Sequence, residues 1–254
     1  MRRYCPGQII FALFMSGFCA ALFPVSLFAQ SEIEFAKANQ DYAQGRFKEA
    51  IGEYEAIVRS NRFSPNLFYN LGNAYFRAGD FGRAILNYER ALVLDPHHPE
   101  SAANVRVARD ESRALELPQG WLEQRLQSGS VNQYSVAAAI AFWVALFCIV
   151  AAILARRRSA GVFLLSFLSL TVLAFAILAI YQSVNGTHGR TLAIVTGNKV
   201  TARLATADNS SSVLALPPGS EIKILSVRGD WVYVALPNNL RGWVQSKDAE
   251  QVRL

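Results

Sequence analysis

The sequence predicts a multidomain chain: an all-α helical-repeat solenoid, then a two-helix transmembrane hairpin, then a small all-β barrel. Three observations predict this order. Residues 31–98 resemble themselves at a shift of 34 positions. Two long runs, residues 136–155 and 162–181, contain no charged side chain. Residues 191–254 are dense in β-branched residues interrupted by turn formers.

Of the 254 residues, 52% are hydrophobic, too many for one ordinary soluble domain. The excess lies in residues 9–28 and in the two uncharged runs; elsewhere the composition is that of soluble protein. The net charge of +6 invites a nucleic-acid reading, but its distribution argues against one. Residues 31–117 carry 11 Lys/Arg against 13 Asp/Glu, and residues 191–254 carry 7 against 5. The remaining positive charge is mostly Arg2, Arg3, Arg156, Arg157 and Arg158, which flank apolar runs. Arginine at such places orients a membrane protein, whereas a DNA binder gathers it on a folded face. The three cysteines, Cys5, Cys19 and Cys148, lie outside both soluble segments. Neither segment has a disulfide framework or a cysteine zinc site available to it.

Residues 1–29 read as a secretory signal, with Arg2 and Arg3, an apolar stretch, and Ala29 ahead of a polar start. Cleavage after Ala29 is expected, although Leu27 is large for its position, and an uncleaved anchor stays open. A lipoprotein signal needs a small residue before its cysteine, and Phe18 precedes Cys19. Residues 136–155 and 162–181 are each long enough to cross a hydrocarbon layer of roughly 30 Å as a helix. Tyr134 and Tyr181 stand at their outer ends, where aromatic rings favour the interface. The connecting loop, residues 156–161, holds three consecutive arginines, which predicts a cytoplasmic turn. Both soluble segments then face the periplasm of a bacterial inner membrane, with residues 118–135 linking the first to the hairpin.

Between residues 31–64 and 65–98, Asn39 pairs with Asn73, Gly45 with Gly79, Phe47 with Phe81, Ala50 with Ala84, Tyr54 with Tyr88 and Glu55 with Glu89. The second copy places Phe68, Leu71, Gly72 and Tyr75 on one helix, Gly79 at a turn, and Ala84, Tyr88 and Ala91 on a second helix. Gly72 and Ala84 suit a close helix crossing, and the large residues fill the space around it. This period and pattern resemble the tetratricopeptide repeat. The first copy departs from it: Lys37 and Asp41 stand where leucine and tyrosine are usual. Residues 99–115 read as one capping helix. The resemblance implies a concave groove lined by Phe35, Asn39, Asn66, Tyr69, Asn70, Asn73, Phe76 and Arg77. Asparagine amides there suit an extended peptide backbone, and the aromatics its side chains; the same residue types also serve as plain packing. Asn39 and Asn70 resemble the asparagines of carboxylate-clamp members. Phe35, Glu100 and Asn104 replace the basic residues, so that clamp is incomplete.

The C-terminal segment offers candidate strands at residues 192–195, 199–203, 213–216, 221–227, 231–235 and 241–244, with turns at Pro218-Gly219, Gly229-Asp230 and Asn238-Asn239. Residues 200–203, 214–219, 231–234 and above all Gly242-Trp243-Val244 resemble the bacterial SH3 (SH3b) family. Its members bind cell-wall peptide or glycan, or other proteins. Trp231, Tyr233, Arg241 and Trp243 are the candidate surface, set against the reading that these aromatics fill a small core.

No catalytic constellation is legible. His97 and His98 sit in a repeat-ending turn and His188 in a linker, with no nucleophile or metal spacing beside them. No phosphate loop occurs. A non-enzyme without cofactor or metal is expected. Signal, repeats, hairpin and barrel in this order, with the run from Asn70 to Leu92, resemble the BatE-like proteins of bacterial aerotolerance operons. The resemblance implies partners carrying von Willebrand A domains in the same membrane, a MoxR-type ATPase on the cytoplasmic side, and a role in envelope stress or oxygen tolerance. The alternative is a peptidoglycan-sensing or targeting subunit acting through its SH3b-like domain.

Overall fold

The computed structural model describes residues 32–118, 120, 126, 129, 131–154, 160–185 and 189–253. The expected signal segment with Ala29, the Arg156–Arg158 turn and His188 lie outside the described residues. The chain divides into two compact units, Met1–Phe63 and Ser64–Leu254.

In the first unit a helix through residues 32–43 (α1) is followed by α2 (Phe47–Arg59). Gly45 makes the turn between them at φ +77°, a left-handed conformation that glycine adopts without strain. Ala38, Ala50 and Tyr54 are fully buried between the pair. Tyr54 donates its hydroxyl proton to Asn39 Oδ1 at 2.6 Å, and the Phe35 ring lies 5.9 Å from that of Tyr54. At the two positions that depart from the repeat pattern, Lys37 pairs with Glu53 and Asp41 with Arg46. Ion pairs therefore stand where apolar side chains are usual.

The second unit repeats this arrangement 34 residues on, in α3 (Pro65–Arg77) and α4 (Phe81–Leu94). Gly79 turns at φ +81°. Tyr88 donates to Asn73 Oδ1 at 2.8 Å, and Tyr69 approaches Tyr88 at 6.2 Å. The edge contact of Tyr42 on Phe47 (5.5 Å) recurs as Phe76 on Phe81 (5.4 Å). A Cβ on Gly72 would lie 2.7 Å from two Tyr88 ring carbons, so the crossing needs a glycine. Each helix start has its own signal. Ser64 Oγ accepts from Leu67 N ahead of Pro65, Asp80 Oδ1 accepts from Arg83 N, and His98 Nδ1 accepts from Ser101 N ahead of Pro99. α5 (Pro99–Ser112) packs on α4. It ends three residues short of the predicted 115, because Arg113 turns left-handed at φ +54°. The chain beyond it leaves the helix to meet the β domain.

Two helices, α6 (Val131–Leu154) and α7 (Ala160–Asn185), are long and apolar enough to cross a membrane and extend past the predicted runs at their outer ends. Ala141, Ala145 and Cys148 of α6 are buried, as are Ser169, Ala176 and Ala179 of α7. These spacings of three, four and seven form a seam of small residues that lets the backbones come close. Phe147, Ile153, Leu154, Leu164 and Phe167 point outward, each more than 65% exposed.

Seven strands follow: β1 (Leu192–Val195), β2 (Val200–Arg203), β3 (Ser212–Leu216), β4 (Glu221–Arg228), β5 (Trp231–Ala235), β6 (Arg241–Gln245) and β7 (Ala249–Gln251). All pair antiparallel in the order β3-β2-β6-β5-β4-β1-β7. Ala193 and Val195 share one core with Ala202, Leu216, Ile222, Val234 and Val244. Strands from opposite regions of this order thus fill the same interior, and the sheet curls around it. β7 and the 3-10 turn Ser246–Asp248 were not among the predicted elements. β7 is three residues long and carries no apolar alternation.

The β domain docks on the second repeat instead of hanging from a linker. A Cβ on Gly82 of α4 would lie 2.9 Å from Val195 O, and one on Gly219 would lie 2.2 Å from Ile85 Cδ1. Both close approaches need glycine. Glu221 N donates to Leu115 O at 2.8 Å, Leu115 N to Ser220 Oγ at 3.1 Å, and Leu117 N to Glu221 Oε2 at 2.9 Å. Arg109 reaches across to Glu221 while also pairing with Glu89 at 2.7 Å and Glu116 at 3.6 Å.

Candidate functional site

On α3, Asn66, Asn70, Asn73 and Arg77 recur at helical spacing along one face, and Tyr69 and Phe76 flank it. Asn66 and Arg77 are exposed; Tyr69, Asn70, Asn73 and Phe76 are half-buried. Several of these side chains already have internal partners. Asn73 Oδ1 accepts from both Tyr88 and Asn104, tying α3 to α4 and α5. Asn66 Oδ1 lies 3.2 Å from His98 Nε2, and the His98 ring packs at 5.3 Å from Tyr69. In the first unit Asn39 holds Tyr54, and Phe35 packs on the same tyrosine. Asn39 and Asn73 therefore each serve the interior of their repeat through the side-chain oxygen. The sequence missed the part played by His98, which is both cap of α5 and neighbour of Tyr69. Its place directly before Pro99 was the available signal.

The second candidate surface lies on the β domain. Alternation along β5 turns Val232 and Val234 inward and Trp231 and Tyr233 outward. On β6, Gly242 and Val244 point in, and Arg241 and Trp243 point out. Register sets Tyr233 opposite Trp243, with ring centroids 5.0 Å apart, and Ala235 opposite Arg241. All four predicted residues thus share one outer face. Beside Trp231 opens a polar hollow of about 110 Å³, bordered by Arg203, Asp208, Gln245 and Asp248. Gln245 Nε2 donates to Asp208 Oδ1 at 2.6 Å across it. Asp208 and Asp248 escaped the sequence reading because they lie 40 residues apart and only the fold brings them together.

The electrostatics of the repeat–sheet junction differ at its two arginines. Burial opposes the charge on Arg109, but Glu89, Glu221 and Glu116 outweigh it, and its pKa is raised. At Arg90, 3.5 Å from Glu250 and bonded to Gln251 O at 3.1 Å, burial prevails and the pKa is lowered.

Residues 35–99 match the tetratricopeptide repeat family. That match covers both helical pairs, from α1 through the first residue of α5. No curated protein matches the chain. A tetratricopeptide region, two apolar helices and an antiparallel β domain therefore follow one another along the chain, as the sequence predicts. Tetratricopeptide repeats are protein-interaction folds.

Proposed function

We propose that this chain is a non-enzymatic scaffold anchored in a bacterial inner membrane, which binds partner proteins through its repeats on the periplasmic side. The tetratricopeptide match at residues 35–99 carries this reading, because helix pairs of this kind work by presenting surface to another protein. The α6–α7 pair is the anchor: many of its large side chains are exposed, and the residues buried along it, such as Ala141, Ala145, Ala176 and Ala179, are small. Docking of the β domain on α4 and on residues 113–117 supports the two-span layout. Such contact requires both soluble parts on one side of the bilayer, where an even number of spans returns the chain. The arginines 156–158 and the expected signal assign that side to the periplasm.

The resemblance to BatE-like proteins implies the partners: proteins with von Willebrand A domains in the same membrane and, through them, a MoxR-type ATPase. Crosslinking in native membranes and capture of the full chain recovers such proteins if the reading is right. Recovery of none at native expression sinks it. A reporter fused after Leu117 is active outside the cytoplasm; cytoplasmic activity alone refutes the orientation.

A second reading is favoured by the Trp231, Tyr233, Arg241 and Trp243 face, read as an SH3b surface that engages peptidoglycan. Aromatic faces stack on sugar rings, and arginine pairs with carboxylates. The detergent-solubilised full chain then sediments with purified sacculi, and Trp243→Ala abolishes retention. Equal retention of the variant refutes this face as the site.

A further inference from the structure

A cavity of about 500 Å³ lies where α4, α5, the hairpin and the β domain meet. Val93, Leu94, Val131 and Leu192 supply apolar wall, and Glu89, Asn132, Ser183 and Arg253 supply the polar part. Its position along the hairpin is set by the helices themselves. Val131 is the first residue of α6, and Ser183 lies two residues before the end of α7. Helices of 24 and 26 residues exceed the roughly 20 residues that cross hydrocarbon. The surplus turns put the cavity at the outer end of the hairpin, at the level of lipid headgroups.

Of the two charged residues that line the cavity, Glu89 is paired with Arg109 at 2.7 Å, and Arg253 is the other. Arg253 donates from Nη2 to Ser183 O at 2.9 Å, and its buried Nε has no hydrogen-bond partner among the described residues. Arg190 is held next to the last turn of α7 by a bond from its N to Val184 O at 2.9 Å. Burial and then the charge of Arg190 lower the pKa of Arg253, the mark of a guanidinium with positive company. The Arg253 guanidinium on an apolar hollow, with the charge of Arg190 acting on it, matches an amphiphile with an anionic head, since a phosphate accepts from guanidinium N–H groups and offsets both charges.

We infer that this cavity holds one anionic phospholipid, its phosphate on Arg253 and Arg190 and its upper acyl carbons against Val93, Leu94 and Val131. The inference rests on the membrane-spanning reading of α6 and α7. Bound there, the lipid touches repeat, hairpin and β domain together and fixes the soluble head against the bilayer surface.

The test uses the full chain, delipidated in mild detergent and titrated with short-chain phosphatidylglycerol by native mass spectrometry. One lipid binds per chain. Arg253→Gln weakens binding about tenfold or more, the range expected for a lost charge-assisted bond, and Arg253→Lys restores part of it. Val93→Trp fills the hollow and expels the lipid with both arginines in place. If Arg253→Gln fails to fold, Arg190→Gln and Val93→Trp still decide. Equal binding of uncharged diacylglycerol overturns the phosphate contact. Saturation by inorganic phosphate, unchanged in Val93→Trp, makes this a free-anion site and overturns the lipid. Unaltered binding in the variants overturns the site altogether. Carbonate extraction of native membranes separates the two ideas. A wild-type chain released by carbonate sinks the spanning reading and this one with it, whereas a retained chain that binds no lipid sinks only this one.

Discussion

Replacing Arg109 by methionine should unfasten the β domain from the repeat. The guanidinium is 13% exposed, and the Glu221 carboxylate that it meets is 1% exposed. Glu89 is 15% exposed and shares the same Nη2, while Glu116 at 60% stands mostly in water. The outer pair with Glu116 contributes less than about 1 kcal/mol. Removing the arginine leaves Glu221 buried with Leu117 N as a neutral donor at 2.9 Å. An ion stranded in this way costs about 3–5 kcal/mol, more than a hundredfold in the folding equilibrium. Removing the acid as well, in Arg109→Met with Glu221→Met, takes away the stranded charge. The double variant then lies well above the sum of the two single losses, with a coupling of at least about 2 kcal/mol. Urea unfolding of the full chain in detergent, followed by tryptophan fluorescence, reads this directly, because Trp231 and Trp243 report the β domain. If Arg109→Met loses under about 1 kcal/mol, or the two losses simply add, the ion pair does not join the two parts and the reasoning fails.

Gly72→Ala forces a methyl against the Tyr88 ring at 2.7 Å and should cost about 1–3 kcal/mol in thermal or chemical unfolding; an unchanged midpoint denies the close crossing. Tyr88→Phe removes the 2.8 Å bond to Asn73 and should cost about 1 kcal/mol, with Tyr54→Phe losing a similar amount in the first repeat. The Arg46 bond to Asp41 holds its carboxyl below the ordinary value of 3.8. Stability from this pair is therefore fully present above that value and is lost as the pH falls through the lowered one. Amide exchange in α1 and α2 should accelerate across that acid window, and Asp41→Asn should remove the pH dependence; a variant that keeps it assigns the effect elsewhere.

Much of this protein is legible in local pattern. The shift of 34 residues and the glycine at each turn place the repeat helices, because period and turn chemistry act within a few residues. The uncharged runs announce the α6–α7 pair. Alternation in Trp231-Val-Tyr-Val-Ala sorts inward from outward side chains before any coordinate is known, since successive residues of a strand face opposite ways. The short β7 and the early end of α5 escape such reading, because each follows from its contact with a distant segment.

The association of the parts is the work of tertiary structure alone. Arg109 and Glu221 are 112 residues apart, Arg90 and Gln251 are 161, and each is an ordinary charged or polar residue in its own neighbourhood. Gly82 and Gly219 look like routine helix and turn glycines until Val195 and Ile85 approach them. Periodicity records which face of an element is buried, but not which remote surface covers it. For that reason the sequence reads as separate domains on a string, and packing joins the second repeat to the β domain.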